Sequence, residues 1–415
     1  MAPHVIIVGA GPAGLLLAHI FSRQGIQVSL LEMHHDFDRD FRGDTLHAAT
    51  LEILEQLGLV EDVLKLPHEK MFEGALHTGT ERYTIARFSR LKSNYPYIAL
   101  MPQSVLLEYL DTASATGPHY RCLRGAAVNQ LIYTDERVTG VAYRKDGAQH
   151  ELHGDLVIAA DGRFSRLRKL AKLPVESDAL PTDIAWCRVP KPAAGFVADG
   201  GIHIHDGSIV VLLPREDVVQ LGCVFAKNNF SEIKQAGLPA FQKRIATAVP
   251  KLADQVHEID HWDRVHLLKI SSDCLTQWHR PGLLLIGDAA HVMSPVGGVG
   301  INCAIADAVA TANILSQRLL DGSLSETDLA AVQNRRYRPT RLLQRGQAQI
   351  LRRIGGSALN KREFVPPLPI RIMLRIPGLR NLPARFAAYG VQPELLSADV
   401  LKNLMPPAAV EIPPP

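Results

Sequence analysis

The sequence predicts an α/β protein: a Rossmann-like dinucleotide-binding domain, an inserted and mainly antiparallel β-sheet domain, and a C-terminal helical extension. Three observations carry this prediction. The opening "HVIIVGAGPAGLLLAHIFSRQGIQVSLLE" reads as a β-branched strand, a tight glycine turn, a helix ending near Gly25 and a second strand closing on Glu32, which makes one βαβ unit. Two later runs, "LVIAA" and "GLLLIG", are apolar without alternation, as strands buried on both faces are, and lead into Asp161-Gly162 and Gly287-Asp288. Between them, residues 174–272 hold the strands "GGIHIHDGSIVVLLPRED" and "VVQLGCVFA" with one helix at "LPAFQKRIATAV", the pattern of an inserted antiparallel sheet.

Composition narrows the class. A chain of 415 residues exceeds what one hydrophobic core supports, so two domains and an extension are expected. The balance of 45 Lys+Arg against 42 Asp+Glu leaves a formal charge of +3, too weak for a nucleic-acid footprint. Cys122, Cys187, Cys223, Cys274 and Cys303 lie far apart with no C-x-x-C pair, which predicts neither a metal site nor a disulfide framework but reduced, buried thiols in a cytoplasmic protein. The apolar N-terminus lacks the basic flank of a signal peptide, and no other window approaches the ~20 uninterrupted apolar residues of a membrane span.

Each motif has a physical reading. In the loop Gly9-Ala10-Gly11-Pro12-Ala13-Gly14 the first glycine makes the turn, the second admits a pyrophosphate and the third lets the helix pack closely. The following helix then points unpaired N–H groups and its positive dipole end at the phosphates. Glu32 stands 18 residues after Gly14, where a carboxylate accepts both ribose hydroxyls and favours FAD or NAD over NADP. Asp161-Gly162 closes a β-meander and its central strand at the edge where α/β sheets bind ligands. The stretch "GDAAHVMSPVGGVGIN" follows the last apolar strand and opens the helical "IADAVATANILSQRLL", so the nucleotide domain resumes after the insertion. From Arg335 to Leu404 the pattern is helical, basic and interrupted by prolines.

In this order, the loop with Glu32, "AADGRFSRLR" and "LLIGDAAHVMSP" resemble the single-component FAD-dependent aromatic hydroxylases, the para-hydroxybenzoate hydroxylase-like flavoprotein monooxygenases. The resemblance covers roughly residues 3–350. It implies a discontinuous FAD-binding domain over residues 1–75, 98–173 and 273–355, a substrate-binding β-sheet domain over 76–97 and 174–272, a helical extension over 356–405 and a disordered tail over 406–415. It further implies that Gly9, Gly11, Ala13, Gly14, Glu32 and Asp161 meet FAD, with Arg42 near the pyrophosphate, Gln103 on the ribityl hydroxyls and the Val128 backbone at the adenine. Asp288 would hold the ribityl chain, while Gly297, Gly298 and Gly300 admit the isoalloxazine and Ile301 and Asn302 open the helix aimed at its pyrimidine edge. The Pro295 carbonyl would lie beside flavin and substrate.

The implied reaction uses NADH or NADPH as a transient reductant and O2 as co-substrate, and hydroxylates a phenolic or heteroaromatic small molecule through a C4a-hydroperoxyflavin. No second βαβ fingerprint offers a separate nicotinamide domain. His47 is the first candidate base, since histidine titrates in the useful range. His203 and His205 alternate on one strand and share a face, and Trp186, Arg188, Leu213 and Phe225 are candidate pocket residues. His291 belongs to the Gly-Asp turn and is read as ordering it. A halogenase would carry W-x-W-x-I-P, whereas "WCRVPKP" has one tryptophan. An epoxidase or reductase on a lipophilic substrate, and a flavin-binding regulatory protein without turnover, are the other readings. The chain is expected as a monomer or homodimer, and residues 361–390, rich in Arg and apolar residues, are read either as a helical lid on the core or as a weak contact with an anionic membrane.

Overall fold

In a computed structural model, the described residues are 2–38, 45–79, 81–192, 200–358, 365–376 and 378–406. Arg42, residues 361–364 and the tail from 407 onward, all singled out above, lie outside them.

The strand His4–Val8 is central because it is apolar on both sides: Val5, Ile6 and Ile7 have no exposed surface, and each such side chain contributes about 1.5–3 kcal/mol. It pairs in parallel with Gln27–Glu32 on one side and Leu156–Ala159 on the other. Tyr120–Arg124 extends the sheet beyond Gln27–Glu32, and Leu283–Leu285 extends it beyond Leu156–Ala159, with His279–Arg280 as an antiparallel edge. The chain therefore leaves the central strand in one direction and returns on its other side. That reversal opens a crevice at the carboxyl ends of the strands.

The helix Pro12–Arg23 starts in this crevice with Pro12 in its first turn and ends ahead of Gly25, whose φ of +81° suits a position just past a helix. Its Leu15, Leu16, Leu17, Ile20 and Phe21 are buried, packed by the helices Gly300–Leu320 and Gln103–Ala115. The Gly300–Leu320 helix belongs to a stretch long and apolar enough to cross a membrane, but 67% of that stretch's apolar window is buried inside the protein. Its role here is core.

The inserted sheet has seven strands, Glu73–Thr78 and Glu81–Arg87 from one segment, with Thr182–Pro190, Gly201–His205, Ser208–Pro214, Val218–Ala226 and His266–Leu268 from the other. Its first strand opens at Glu73, three residues ahead of the expected boundary at 76. All its pairings are antiparallel except Gly201–His205 with Glu73–Thr78. Side-chain alternation gives the sheet two apolar faces. Ala185, Cys187, Val210, Leu221, Cys223 and Phe225 pack under the helix Leu238–Ala248 through Phe241 and Ile245. Ile184, Trp186, Ile204, Ile209 and Val224 turn the other way, toward Val296 and toward Ala348 and Leu351 of the helix Glu326–Ala358.

That 33-residue helix runs through the expected boundary at 356. Beyond it, Leu368–Arg375 buries none of its residues, whereas Leu382–Tyr389 buries Ala384 and Ala388. The outer half of the extension is thus exposed and the inner half packs on the body.

Candidate cofactor and active site

Three neighbouring parallel strands end together, and each delivers one of the three motifs. At the end of His4–Val8, Gly9 donates to the Leu31 carbonyl at 2.7 Å, and the Ala10 N–H donates to Glu32 Oε2 at 2.9 Å. The other oxygen of Glu32 accepts the His34 N–H at 3.0 Å, so this buried carboxylate fixes the loop as well as offering oxygens to a ribose. Gly9 sits at φ +102°, and a Cβ there would lie 2.4 Å from the Ala160 carbonyl oxygen. A Cβ on Gly14 would lie 2.0 Å from the Gly9 carbonyl oxygen. At Gly11 a Cβ would meet nothing within 4 Å. The protein's own packing accounts for the outer glycines; the middle one faces open space, where the Ala13 and Gly14 N–H groups of the helix start are available to an anion.

Asp161 stands at the end of Leu156–Ala159, its Cα against Gly9. Its carboxylate accepts the Ser165 hydroxyl at 2.5 Å and the N–H groups of Arg166 and Leu167 at 2.8 and 3.1 Å. Burial pushes its pKa up while these bonds pull it down. The side chain thus holds the start of the short helix Arg166–Leu170. A Ser four residues after an Asp, just before "RLRKL", is a capping signal present in the sequence.

The third strand, Leu283–Leu285, leads into the turn Gly287–Ala289. A Cβ on Gly287 would touch Ala13 Cβ at 3.4 Å and Ala304 Cβ at 3.3 Å, so this turn is seated between the starts of the two buried helices. Asp288 is partly exposed there. The second glycine-rich turn thus lies next to the first in space, as one elongated ligand requires.

The turn at 295–300 is held from two sides. Gln347 Nε2 donates to the carbonyls of Ser294 and Val296 at 3.1 and 2.7 Å, and the Pro295 carbonyl accepts the Gly298 N–H at 3.1 Å. Gly298, at φ +62°, would place a Cβ 2.5 Å from Thr45 Oγ1, and that hydroxyl donates to the Gly298 carbonyl at 2.6 Å. Asn302 accepts the His47 N–H and the Thr50 hydroxyl through Oδ1, and donates through Nδ2 to the Thr45 and Gly298 carbonyls. Its amide is fully used as a clamp between the two chain segments. What Gly300, Ile301 and Asn302 offer is main-chain N–H, since the helical ladder closes from Cys303 to Val299. A Cβ on Gly300, as on Gly11, would meet nothing within 4 Å.

His47 has no exposed surface, and its Nδ1 lies 2.6 Å from the Ala387 carbonyl, an acceptor, so the proton is on Nδ1. Burial lowers its pKa to about 4, against the smaller raising effect of that bond. Its Nε2 has no hydrogen-bond partner among the described residues. His47 is thus a neutral acceptor, and the expectation of a base titrating in the middle range is corrected by its burial. Gln103 opens the helix Gln103–Ala115 and is partly exposed. Val128 follows Ala126, whose N–H donates to the Glu32 carbonyl, so its backbone runs close to the end of the second strand.

On the inserted sheet, Trp186 and Leu213 belong to the face that meets Val296, next to Pro295. Trp186 lies across Gly222, where a Cβ would come 2.8 Å from the indole, and its buried Nε1 has no partner among the described residues. Arg188 follows on the same face by alternation. The other candidates are corrected. Phe225 is under the helix Leu238–Ala248, His203 stacks on His77 with ring centroids 4.2 Å apart, and His205 is exposed. They share the face opposite Ile202 and Ile204.

Sequence reading overlooked Thr45, Gln347, Asp307 and Arg336. His291 Nε2 contacts Asp307 Oδ2, which also accepts the Gly287 N–H, while Arg336 donates to Asp307 Oδ1. No local motif announces partners this far apart in the chain. Among the described residues no group of His, Cys, Asp and Glu is arranged to hold a metal, and the cysteines are free with pKa values raised by burial, that of Cys303 to about 12.

A family model described as "FAD binding domain" matches residues 3–345. The 6-methylpretetramide 4-monooxygenase of Streptomyces rimosus is 32% identical over 96% of this chain and 95% of its own. Pseudomonas aeruginosa PqsL, solved with 2-aminobenzoylacetate, superposes with a TM-score of 0.73 at 21% identity, covering 87% of this chain and 98% of PqsL. The myxobacterial FAD-dependent halogenase CndH superposes at 0.72 and 20% identity over 97% and 96%, so fold alone does not select the reaction. With open space at Gly11 and Gly300, a buried carboxylate at Glu32 on the first glycine loop and two helix starts facing one crevice, the chain belongs to the FAD-binding family of para-hydroxybenzoate hydroxylase-like flavoprotein monooxygenases.

Proposed function

We propose that this protein is an NAD(P)H- and O2-dependent hydroxylase of a flat aromatic small molecule, phenolic or heteroaromatic. The observation that carries the reading is the apolar wall of Trp186, Leu213, Val211 and Ile202, which meets the glycine turn through Val296. An apolar wall supports a flat aromatic substrate, and the similar 6-methylpretetramide 4-monooxygenase supports a substrate of the class its name gives.

FAD, when bound, supplies electron transfer to O2 and delivery of one oxygen atom to the arene. Glu32 and the Ala13 and Gly14 N–H groups would hold its adenosine and phosphates, Asp288 its ribityl chain, and Gly297, Gly298 and Gly300 the backbone beside its ring. The N–H groups of Gly300, Ile301 and Asn302 would stabilise negative charge on the bound ring. The apolar wall excludes water and orients the arene. The Trp186 Nε1–H would donate to a substrate oxygen, since leaving it unpaired costs about 1–3 kcal/mol. His47, neutral, holds the corner between the clamp of Asn302 and the C-terminal extension.

The test is a screen of phenols, quinolones and aromatic polyketides for stimulated NADH or NADPH oxidation, with mass spectrometry under 18O2. One labelled oxygen in the product is expected. Halogenation in the presence of halide, or a product without the label, would overturn the reading.

A further inference from the structure

Residues 365–392 contain four arginines, Arg371, Arg375, Arg380 and Arg385, and no acidic residue. The helix Leu368–Arg375 places Leu368 and Ile372 on one face, and Ile376 continues that stripe one turn on. After the break at Gly378, the turn Leu379–Asn381 packs against this helix, and Leu379 there with Leu382 and Phe386 of the helix Leu382–Tyr389 add further exposed apolar side chains. A soluble helix buries such a stripe. Here Leu368 is 63% exposed, Ile372 48% and Phe386 44%, and the remaining three lie in the same range. Arg371 and Arg375 each precede an exposed isoleucine by one residue, so they flank the stripe.

We propose that this face is a docking surface for an anionic lipid membrane, with the helix Leu368–Arg375 lying in the interface plane and its arginines among the headgroups. An exposed apolar stripe bordered by cations is the composition of an interfacial helix. Charge selects this occupant over a second copy of the chain: a two-fold contact through the helix Leu368–Arg375 would set Arg371 and Arg375 against their own copies, with no acid between residues 365 and 392 to answer them. The Ala384 and Ala388 side of the following helix stays on the body, and the Ala387 carbonyl keeps its bond to His47, so docking needs no unfolding.

The experiment is flotation of full-length, FAD-loaded protein with vesicles of phosphatidylcholine alone or mixed with phosphatidylglycerol, at low and high salt. Binding to the anionic vesicles at low salt, lost with salt, is expected. Arg371→Gln with Arg375→Gln should weaken it about thirtyfold, since each surface cation contributes about a fivefold factor. Ile372→Asp with Ile376→Asp should abolish it, with flavin content and melting temperature unchanged because both side chains are exposed. Absence of flotation on anionic vesicles at low salt would overturn the proposal, as would equal flotation on both compositions. Sedimentation velocity showing a dimer that dissociates in the Ile372→Asp, Ile376→Asp variant would assign the face to a second copy instead.

Discussion

His291 Nε2 lies 2.5 Å from Asp307 Oδ2, with both side chains buried, and this pair ties the Gly-Asp turn to the helix that carries the second glycine turn. Asp307 also accepts the Gly287 N–H, and Arg336 bridges it to Glu394, which pairs with Arg335 through two bonds. The network therefore runs from the cofactor turn to the C-terminal segment. Its members position the turn.

Asp307→Ala should destabilise the protein by about 3 kcal/mol, because it leaves the buried Arg336 cation with only its longer contact to Glu394 and strips the Gly287 N–H and His291 of their shared acceptor. Burial alone would raise the Asp307 pKa, but His291 and Arg336 hold it below the ordinary carboxylate range. A carboxyl depressed in the folded state contributes stability that is present above its unfolded pKa and lost as pH falls through the folded one. Urea unfolding should therefore show a wild-type loss below pH ~4 that Asp307→Asn lacks. Equal acid profiles would sink this account.

The glycines of the first loop should separate by role. Gly14→Ala forces a Cβ onto the Gly9 carbonyl and should destabilise the apoprotein by about 1–3 kcal/mol. Gly11→Val meets no protein atom, so apoprotein melting should hold while FAD affinity falls at least about a hundredfold, a loss of about 2.7 kcal/mol. Calorimetry of the two apoproteins beside flavin fluorescence titration checks both; retained FAD affinity in Gly11→Val would contradict the phosphate-cradle reading.

Two buried histidines set a second pH window. Burial lowers His47 from 6.5 to about 4, and burial with the neighbouring Arg23 lowers His19 to about 3. These groups are bases, so the unfolded chain takes up protons first as pH falls below 6.5, and stability drops from there down to the folded values. At pH 5 each should cost about 2 kcal/mol relative to pH 8. His47→Asn, whose amide can keep the bond to Ala387, should flatten roughly half of that slope; an unchanged slope in denaturant titrations would rule it out.

Local chemistry was legible in the sequence and long-range geometry was not. Gly9, Gly14 and Glu32 follow from spacing within one βαβ unit, and the structure places the carboxylate on the loop itself. Alternation puts His203 and His205 on one face, but period-two alternation does not say which face meets the site. The Asp161 carboxylate stands at the ligand edge of its strand and also holds the start of the next helix, a cap whose partner Ser165 lies only four residues on. Asp307, Arg336 and Glu394 satisfy one another across 87 residues of chain, and pairing of that kind leaves no local pattern.

The two faces of the inserted sheet yield the sharpest functional contrast. Trp186 and Leu213 point toward Val296 and the glycine turn, whereas His203 stacks on His77 on the reverse. Trp186→Phe keeps most of the apolar wall and removes only the buried indole donor, so it should raise KM or lower kcat/KM by about tenfold with flavin content intact, the size of one hydrogen bond of about 1.4 kcal/mol. Leu213→Ala, which shortens the wall, should loosen substrate fit and increase NAD(P)H oxidation that yields hydrogen peroxide instead of product, because water is less well excluded. His203→Ala should leave both numbers within about twofold, since surface substitutions away from a site rarely exceed 0.5 kcal/mol. Steady-state kinetics with a confirmed substrate, beside a peroxide assay, decides among them. Activity that tracks His203 and ignores Trp186 would place the substrate on the other side of the sheet.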